Sequence, residues 1–377
     1  IKAFHLPYLQ WFKKQGYETF VAANSGDIKD ANGVTIPVNG QDLGADIIPF
    51  CDHKYNIDIQ RSPFSLKNIR ASLQLKRIMD INDFTLIHGH TPVGGVLTRV
   101  VGKKYRKYGL NVLYTAHGFQ FYSGGPKVSW MIFYPIEKFL SRFTDGLITI
   151  NNEDYDIAKT KFHSRQTYLI SGVGYDEKRF YPRAKEDCVK TRIQMGYSSE
   201  ELLLIYVAEL SKRKNQGLLL EVVKKVRAQH KNVRLLLVGR DGMDGFYQTM
   251  AKQLGVDDIV DFLGPRNDVD VLIPMCDINV ASSLNEGQGI NILEAMASGV
   301  PVVATTTKGH KDLIRNGESG FLIPWEHVIL DFSNQVLSLI YDHALCHKLI
   351  QNGLIVAKEH TKQKSVEEMD HIYNSFS

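Results

Sequence analysis

The sequence predicts an α/β protein of two doubly wound, Rossmann-like domains. Three observations carry this: a length of 377 residues, two successive series of alternating strand-like and helix-like segments, and a stretch between them where the periodicity stops. A chain this long exceeds what one hydrophobic core usually organises. With 44% hydrophobic and 23% charged residues and no repetitive tract, it has the composition of an ordinary globular protein.

The first series places strands at 19–23, 46–50, 84–88, 111–114, 146–150 and 167–170, with helices at 67–81, 93–108, 130–143 and 153–161 between them. It opens on a helix, 6–15, with no strand and no initiator Met before it, so a first strand at the sheet centre is expected to precede Ile1. Around Gly172-Val173-Gly174 the rhythm stops, and a polar stretch, 185–200, leads into strands at 202–208, 234–238, 259–262, 278–281, 300–304 and 321–323. The expected organisation is one Rossmann-like domain at 1–175, a second at 176–360, and an amphipathic helix at 361–377 crossing back onto the first. Two such sheets would face one another across a cleft, with the carboxyl ends of their strands opposed, where open α/β folds bind ligands.

Several function classes drop out. A formal charge of +4, evenly spread, lacks the basic stripe of a nucleic-acid binder. No run approaches the roughly 20 apolar residues of a membrane span, and no signal pattern is visible at the start, so a cytoplasmic location is expected. Cys51, Cys188, Cys276 and Cys346 have neither disulfide-framework nor zinc-ligand spacing. Basic clusters, Arg61 to Arg77 and Lys103 to Lys107, suit either anionic lipid headgroups or solvated helix faces.

The chemistry gathers at Asn285-Glu286-Gly287-Gln288-Gly289-Ile290-Asn291, which follows a strand and opens a helix carrying Glu294. Glycines let backbone approach a ligand, and the free amides and dipole of a helix start favour a diphosphate. Glu286 can accept from sugar hydroxyls and Glu294 from both hydroxyls of a ribose. The same pattern also suits a helix-dipole partner and a surface residue. His88-Gly89-His90 could suggest a metal, but lies at a strand end with no third ligand near in sequence, and reads better as a turn. Asp154-Tyr155-Asp156 and Asp268-Val269-Asp270 lie at helix starts, where acids cap.

Glu286, seven residues, Glu294, then Ala297-Ser298-Gly299-Val300-Pro301-Val302-Val303-Ala304 and Asn316-Gly317-Glu318-Ser319-Gly320-Phe321-Leu322 resemble the signature of the family four retaining glycosyltransferases, which have the GT-B fold. The resemblance implies that Glu286 contacts the donor sugar, Glu294 the ribose, and Lys214 the donor diphosphate. Arg213 would stand in for the family's arginine, because Ala208-Glu209 occupies the usual Gly-Arg position. Gly287, Gln288, Gly289, Ile290 and Asn291 would line the donor site, and Arg266, closing Phe262-Leu263-Gly264-Pro265, the base pocket. His117, in Thr115-Ala116-His117-Gly118-Phe119, resembles the family histidine at the transferred sugar.

Phe4 to Tyr8, Arg61 to Phe64, His90 to Gly95 and Tyr134 to Lys138 resemble the subgroup of bacterial capsular and exopolysaccharide transferases, in which Ala-Glu-Leu is common at 208–210. Gln120 departs from a frequent His there. That subgroup implies a UDP-sugar donor, first of all UDP-N-acetylhexosamine, and an undecaprenyl-diphosphate-linked saccharide acceptor. It further implies retention without a metal or other cofactor, and peripheral association with the inner face of the cytoplasmic membrane. Phe119, Tyr122 and Trp130 are then expected on the acceptor side. The competing classes are a UDP-N-acetylglucosamine 2-epimerase-like enzyme and a non-catalytic nucleotide-sugar-binding partner.

Overall fold

A computed structural model describes residues 5–24, 28–29, 35–36 and 48–376. The chain forms two compact units, unit 1 (Ile1–Val173 with Gln363–Ser377) and unit 2 (Gly174–Lys362).

In unit 1, α1 (Leu6–Lys14) leads to β1 (Phe20–Ala23), the short antiparallel pair β2 (Ile28–Lys29) and β3 (Thr35–Ile36), and β4 (His53–Asn56). Then follow α2 (Lys67–Ile81), β5 (Leu86–Gly89), α3 (Pro92–Gly102), β6 (Asn111–Ala116), α4 (Lys127–Leu140), β7 (Gly146–Thr149), α5 (Asn152–Lys161) and β8 (Gln166–Leu169). Strands β5-β6-β7-β8 make a parallel sheet in chain order, and β1 pairs with β4, also in parallel. Parallel neighbours of this kind require crossover connections, which α3, α4 and α5 supply. The C-terminal residues of unit 1 pack on α1 and the sheet. Tyr8 and Ser365 share a hydrogen bond of 2.7 Å, Trp11 Nε1 donates to Asp370 at 2.5 Å, and Tyr373 and Phe376 join Leu113 and Ile148 in one core cluster.

The strand expected at 46–50 lies elsewhere. Asp46 and Ile47 fall outside the described residues, and Ile48–Phe50 is a turn in which Phe50 takes a left-handed φ of 63°. The strand is β4, whose Lys54 is buried with Nζ donating to the carbonyls of Ala23 (3.3 Å) and Tyr55 (3.1 Å).

In unit 2, α6 (Lys185–Gln194) precedes β9 (Leu202–Val207), α7 (Gln216–Arg227), β10 (Val233–Val238), α8 (Phe246–Leu254), β11 (Val260–Gly264) and α9 (Val269–Leu272). After these come β12 (Ile278–Ala281), α10 (Ile290–Ala297), β13 (Val302–Thr305), α11 (Lys308–Leu313), β14 (Phe321–Ile323), α12 (Val328–Tyr341) and α13 (His343–Lys358), while the last helix, α14 (Lys362–Asn374), belongs to unit 1 from Gln363 on. The six strands are parallel in the order β11-β10-β9-β12-β13-β14. The direction of winding reverses between β9 and β12, so the loops after these two strands flank the switch point where such sheets bind ligands. The polar stretch at 185–200 is helical over α6, held by buried Arg192, which donates to Met275 O through Nε (2.9 Å) and Nη2 (2.6 Å).

Unit 1 also buries an ion pair between α3 and α4. Arg99 is fully buried, donates from Nη1 to Glu137 Oε2 at 2.7 Å and from Nε to Gly95 O at 2.8 Å, and lies 4.1 Å above the Tyr114 ring. Removing one partner strands a buried charge. Glu137→Ala is expected to lower unfolding stability by about 3–5 kcal/mol, and the double change Arg99→Met/Glu137→Leu by much less. Urea unfolding of the two variants against the parent checks this.

Candidate active site

Lys214, Arg213, Glu286 and Glu294 belong to unit 2. The turn Ser211–Asn215 after β9 and the loop 282–289 after β12 are stitched together across the switch point. Leu284 N donates to Arg213 O (2.9 Å), Ser282 Oγ to Lys214 O (2.8 Å) and Arg213 Nη1 to Asn285 O (3.0 Å). Glu286 is the hub of this arrangement. Its Oε1 receives Lys214 Nζ and Ser283 Oγ (2.6 Å), its Oε2 receives Arg213 Nη1 (2.9 Å), and Ser283 Oγ shares a further bond of 2.7 Å with the buried Tyr206 hydroxyl. Burial alone would raise the Glu286 carboxyl, but the charges of Lys214 and Arg213 and these hydrogen bonds hold it at about 2. With two cations on one carboxylate, the cluster keeps one positive charge in excess.

Behind the loop, Thr307 caps α11 by accepting from His310 N at 3.3 Å, and Gly309 N donates to Glu286 O at 3.2 Å. A Cβ at Gly309 would stand 2.7 Å from Gln288 N, so only glycine lets α11 seat the loop. Gly289, at φ 103°, is the N-cap of α10 and packs on the His310 ring. His310 Nδ1 bonds Thr305 O at 2.7 Å, and its buried Nε2 has no partner within the protein. Gln288 and Asn291 are buried, Gly287 and Ile290 half-buried, around the amides at the start of α10.

Glu294 is half-buried on α10. Burial raises its carboxyl to about 7, against the opposing charges of Arg179 and Lys362. Arg266 is exposed and ion-paired with Asp268 at 2.6 Å, and Asp270 of the same turn pairs with Arg179. The acids of Asp268-Val269-Asp270 are therefore matched to arginines, and Asp268 makes no side-chain cap bond.

His117 and the aromatic residues belong to unit 1. His117 follows β6 and is solvent-accessible. Its Nε2 lies 3.4 Å from His90 Nδ1, and the rings of His5 and His88 lie tilted against His90 with centroids 4.1 Å away. Desolvation in this recess lowers His117 to about 4, so the imidazole is neutral at neutral pH, as an ordinary imidazole also mostly is. Both nitrogens of His88 are occupied, by Tyr373 Oη (2.9 Å) and Thr115 Oγ1 (2.8 Å), so the His-x-His pair serves a hydrogen-bonded strand end.

The loop after His117 is fixed by a residue whose sequence context suggested only a cap. Asp154 is fully buried, and its Oδ2 accepts from Phe119 N (2.9 Å) and Asn151 Nδ2 (2.8 Å), while Asn151 does the capping of α5. Phe119 departs from its expected acceptor-side placement. It is buried, stacked on Phe121 at 5.0 Å, and is core. Tyr122 and Trp130 are half-buried, joined by Trp130 Nε1 donating to Tyr122 O at 3.1 Å.

Two units built this way define the GT-B glycosyltransferase fold. The family description "Glycosyl transferases group 1" matches residues 190–355, and "Glycosyl transferase 4-like" matches residues 5–151. EpsD of Bacillus subtilis, itself only provisionally named a glycosyltransferase, is 40% identical over 376 residues, covering 100% of this chain and 93% of its own. The chain belongs to the group 1 glycosyltransferases. It is also similar to the Escherichia coli UDP-Gal:alpha-D-GlcNAc-diphosphoundecaprenol alpha-1,3-galactosyltransferase, 25% identical over 80% of this chain and 79% of that one. Among solved structures, Anabaena HepE in complex with UDP and glucose shares the fold with a TM-score of 0.71, at 21% identity over 86% of this chain and 87% of that one.

Two expectations follow. Gly309→Ala should push the 286–288 backbone aside and weaken nucleotide binding more than it lowers the melting temperature, which calorimetric titration beside thermal unfolding would separate. The ribose contact that the resemblance gives Glu294 needs the anion, and a carboxyl near 7 is mostly protonated at pH 6 and mostly ionised at pH 8. Uridine, which carries no phosphate to titrate, should therefore bind about tenfold more weakly at pH 6 than at pH 8. In Glu294→Gln it should bind weakly at both.

Proposed function

We propose that the chain transfers a sugar from a UDP-sugar to an undecaprenyl-diphosphate-linked saccharide during capsular or exopolysaccharide synthesis, with retention at the anomeric carbon and without a metal. The observation that carries this reading is the Lys214–Arg213–Glu286 cluster beside the start of α10, at the switch point of a parallel sheet. An excess cation beside free helix amides suits a diphosphate, and it acts most strongly on the charge that grows as the glycosidic C–O bond to that diphosphate breaks.

In this reading the acceptor hydroxyl attacks the anomeric carbon on the face that UDP leaves. Its proton passes to the departing diphosphate oxygen. The products are UDP and the extended saccharide, and no protein nucleophile is needed. Lys214, Arg213 and the α10 amides carry the leaving-group charge that a divalent cation carries in other enzymes. Glu286, ionised at any working pH, accepts from donor-sugar hydroxyls, and Glu294 from the ribose. Arg266 lies beside the base. For His117 we propose the sugar-contacting role, supported by its neutral ring and by the fixed loop that follows it.

The acceptor class is supported by the Escherichia coli relative, whose substrate is diphosphoundecaprenol-linked, and the pathway by the subgroup resemblance. Among the described residues no helix is long and apolar enough to cross a membrane, so a lipid-linked acceptor would be reached from the membrane surface. The donor sugar is proposed as N-acetylhexosamine from the subgroup resemblance. The similar proteins' names mention galactose and glucose, so a donor panel decides it.

UDP release from a panel of UDP-sugars, with lipid extract as acceptor and EDTA present, tests the proposal. One donor should support release that lipid raises. Lys214→Ala and Glu286→Gln should each lower kcat by about 10²-fold or more. Free 2-epimerised sugar without lipid product, tight UDP binding without turnover, or loss of activity in EDTA would each overturn part of it.

A further inference from the structure

Helix α4 is apolar on both of its faces. Trp130, Phe133, Tyr134 and Leu140 turn inward, the first three against the cluster around Phe121. The opposite stripe, Val128, Met131, Ile132, Pro135, Ile136 and Phe139, recurs at the three- and four-residue spacing of one helix face and lies in solvent. Met131 is 76% exposed, Val128 63% and Phe139 56%. Helices that are apolar all round are normally buried, and a contiguous exposed stripe of this kind marks an interaction surface.

Charge says what the surface fits. Glu137, the only acid on α4, is turned inward and neutralised by Arg99. Lys127 stands at the start of the stripe and Arg142 just beyond its end, both exposed. Lys103 Nζ lies 4.2 Å from the centroid of Phe143, in the turn that continues α4, and exposed Lys104 and Lys107 follow it. The acids of this neighbourhood are engaged: Asp145 with Arg106, and Asp80 with Lys76 and Tyr105. An apolar stripe with cations at its ends matches the boundary between anionic headgroups and acyl chains. A second copy fits worse, because a two-fold contact would set these cations against themselves.

We propose that this face of α4 docks the chain on an anionic lipid bilayer, with Met131, Ile136 and Phe139 entering the headgroup–acyl boundary and Lys103, Lys104 and Lys107 lying among the lipid phosphates. The proposal rests on the lipid-linked-acceptor reading for its purpose, but its test needs neither donor nor acceptor.

The test is co-sedimentation of the full chain with vesicles of phosphatidylglycerol mixed into phosphatidylcholine, and of phosphatidylcholine alone. Binding should favour phosphatidylglycerol and weaken with salt. Met131→Ser/Ile136→Ser/Phe139→Ser should lower it by about tenfold or more, with UDP affinity and melting temperature kept. Lys103→Ala/Lys104→Ala/Lys107→Ala should remove the preference for phosphatidylglycerol. Should the triple serine variant not fold, Met131→Ser alone probes the same face at its most exposed position. Full vesicle binding in a folded variant, equal binding to both vesicle types, or a wild-type dimer that the serine variant dissolves would overturn the proposal. Failure of the transferase reading would appear separately, as absent turnover on a water-soluble short-chain acceptor while vesicle binding persists.

Discussion

The geometry of unit 2 depends on one buried carboxylate. Glu286 is 8% exposed and remains ionised because Lys214, Arg213 and Ser283 surround it. An isolated charge at that depth would be too costly to keep, and losing one partner of such a pair typically costs about 3–5 kcal/mol. The two loops on either side of the switch point are therefore not independent. The turn after β9 brings the cations and the loop after β12 brings the anion, and backbone bonds from Leu284 to Arg213 and from Ser282 to Lys214 hold them in register. A diphosphate arriving beside the cluster would compete with Glu286 for the same cations. Donor binding at the proposed site would be coupled to loop conformation through that competition.

Unit 1 uses the same physics for other ends. Arg99 and Glu137 neutralise one another in the core and so anchor α3 to α4, while Asp154 holds the loop after His117 by its backbone. In both cases a buried, partnered charge fixes a segment that apolar packing would leave free to shift. The pairing also removes the only acid of α4 from its outer face, which leaves that face apolar with positive ends.

Most of this architecture was legible because strands such as β9 and β10 are buried on both faces and read as apolar runs, while the glycines and glutamates of the α10 loop keep a recognisable spacing. Where the reading failed, polar residues did apolar work. The strand β4 carries His53, Lys54 and Asn56, and Lys54 stays buried by donating to two carbonyls, so no alternating pattern announced it. Helix α6 is almost wholly polar and rests on Arg192. Phe119 and Trp130 are both aromatic residues beside a glycine-rich turn, yet only the fold decides that one is core and the other half-buried. Tyr206 and Ser283, which complete the shell of Glu286, are far apart in sequence and carry no motif of their own.

His310 shows why some of the site escapes any reading of spacing. It sits 16 residues beyond Glu294 in sequence, yet its ring forms the floor under Gly289 at the start of α10. Burial lowers its pKa, so the ring is neutral, and because Nδ1 faces the Thr305 carbonyl it must carry the ring proton there. Nε2 is then a lone-pair acceptor, buried without a partner in the protein. An unsatisfied buried polar atom costs about 1–3 kcal/mol, and folds retain such atoms where something else is gained. Gly289 alone lets α10 begin at a left-handed residue, and with no Cβ there the His310 ring can lie close beneath the helix start. If the donor lies at this helix start as proposed, the α10 amides would face its phosphate oxygens and the His310 nitrogen would be free to accept from a hydroxyl.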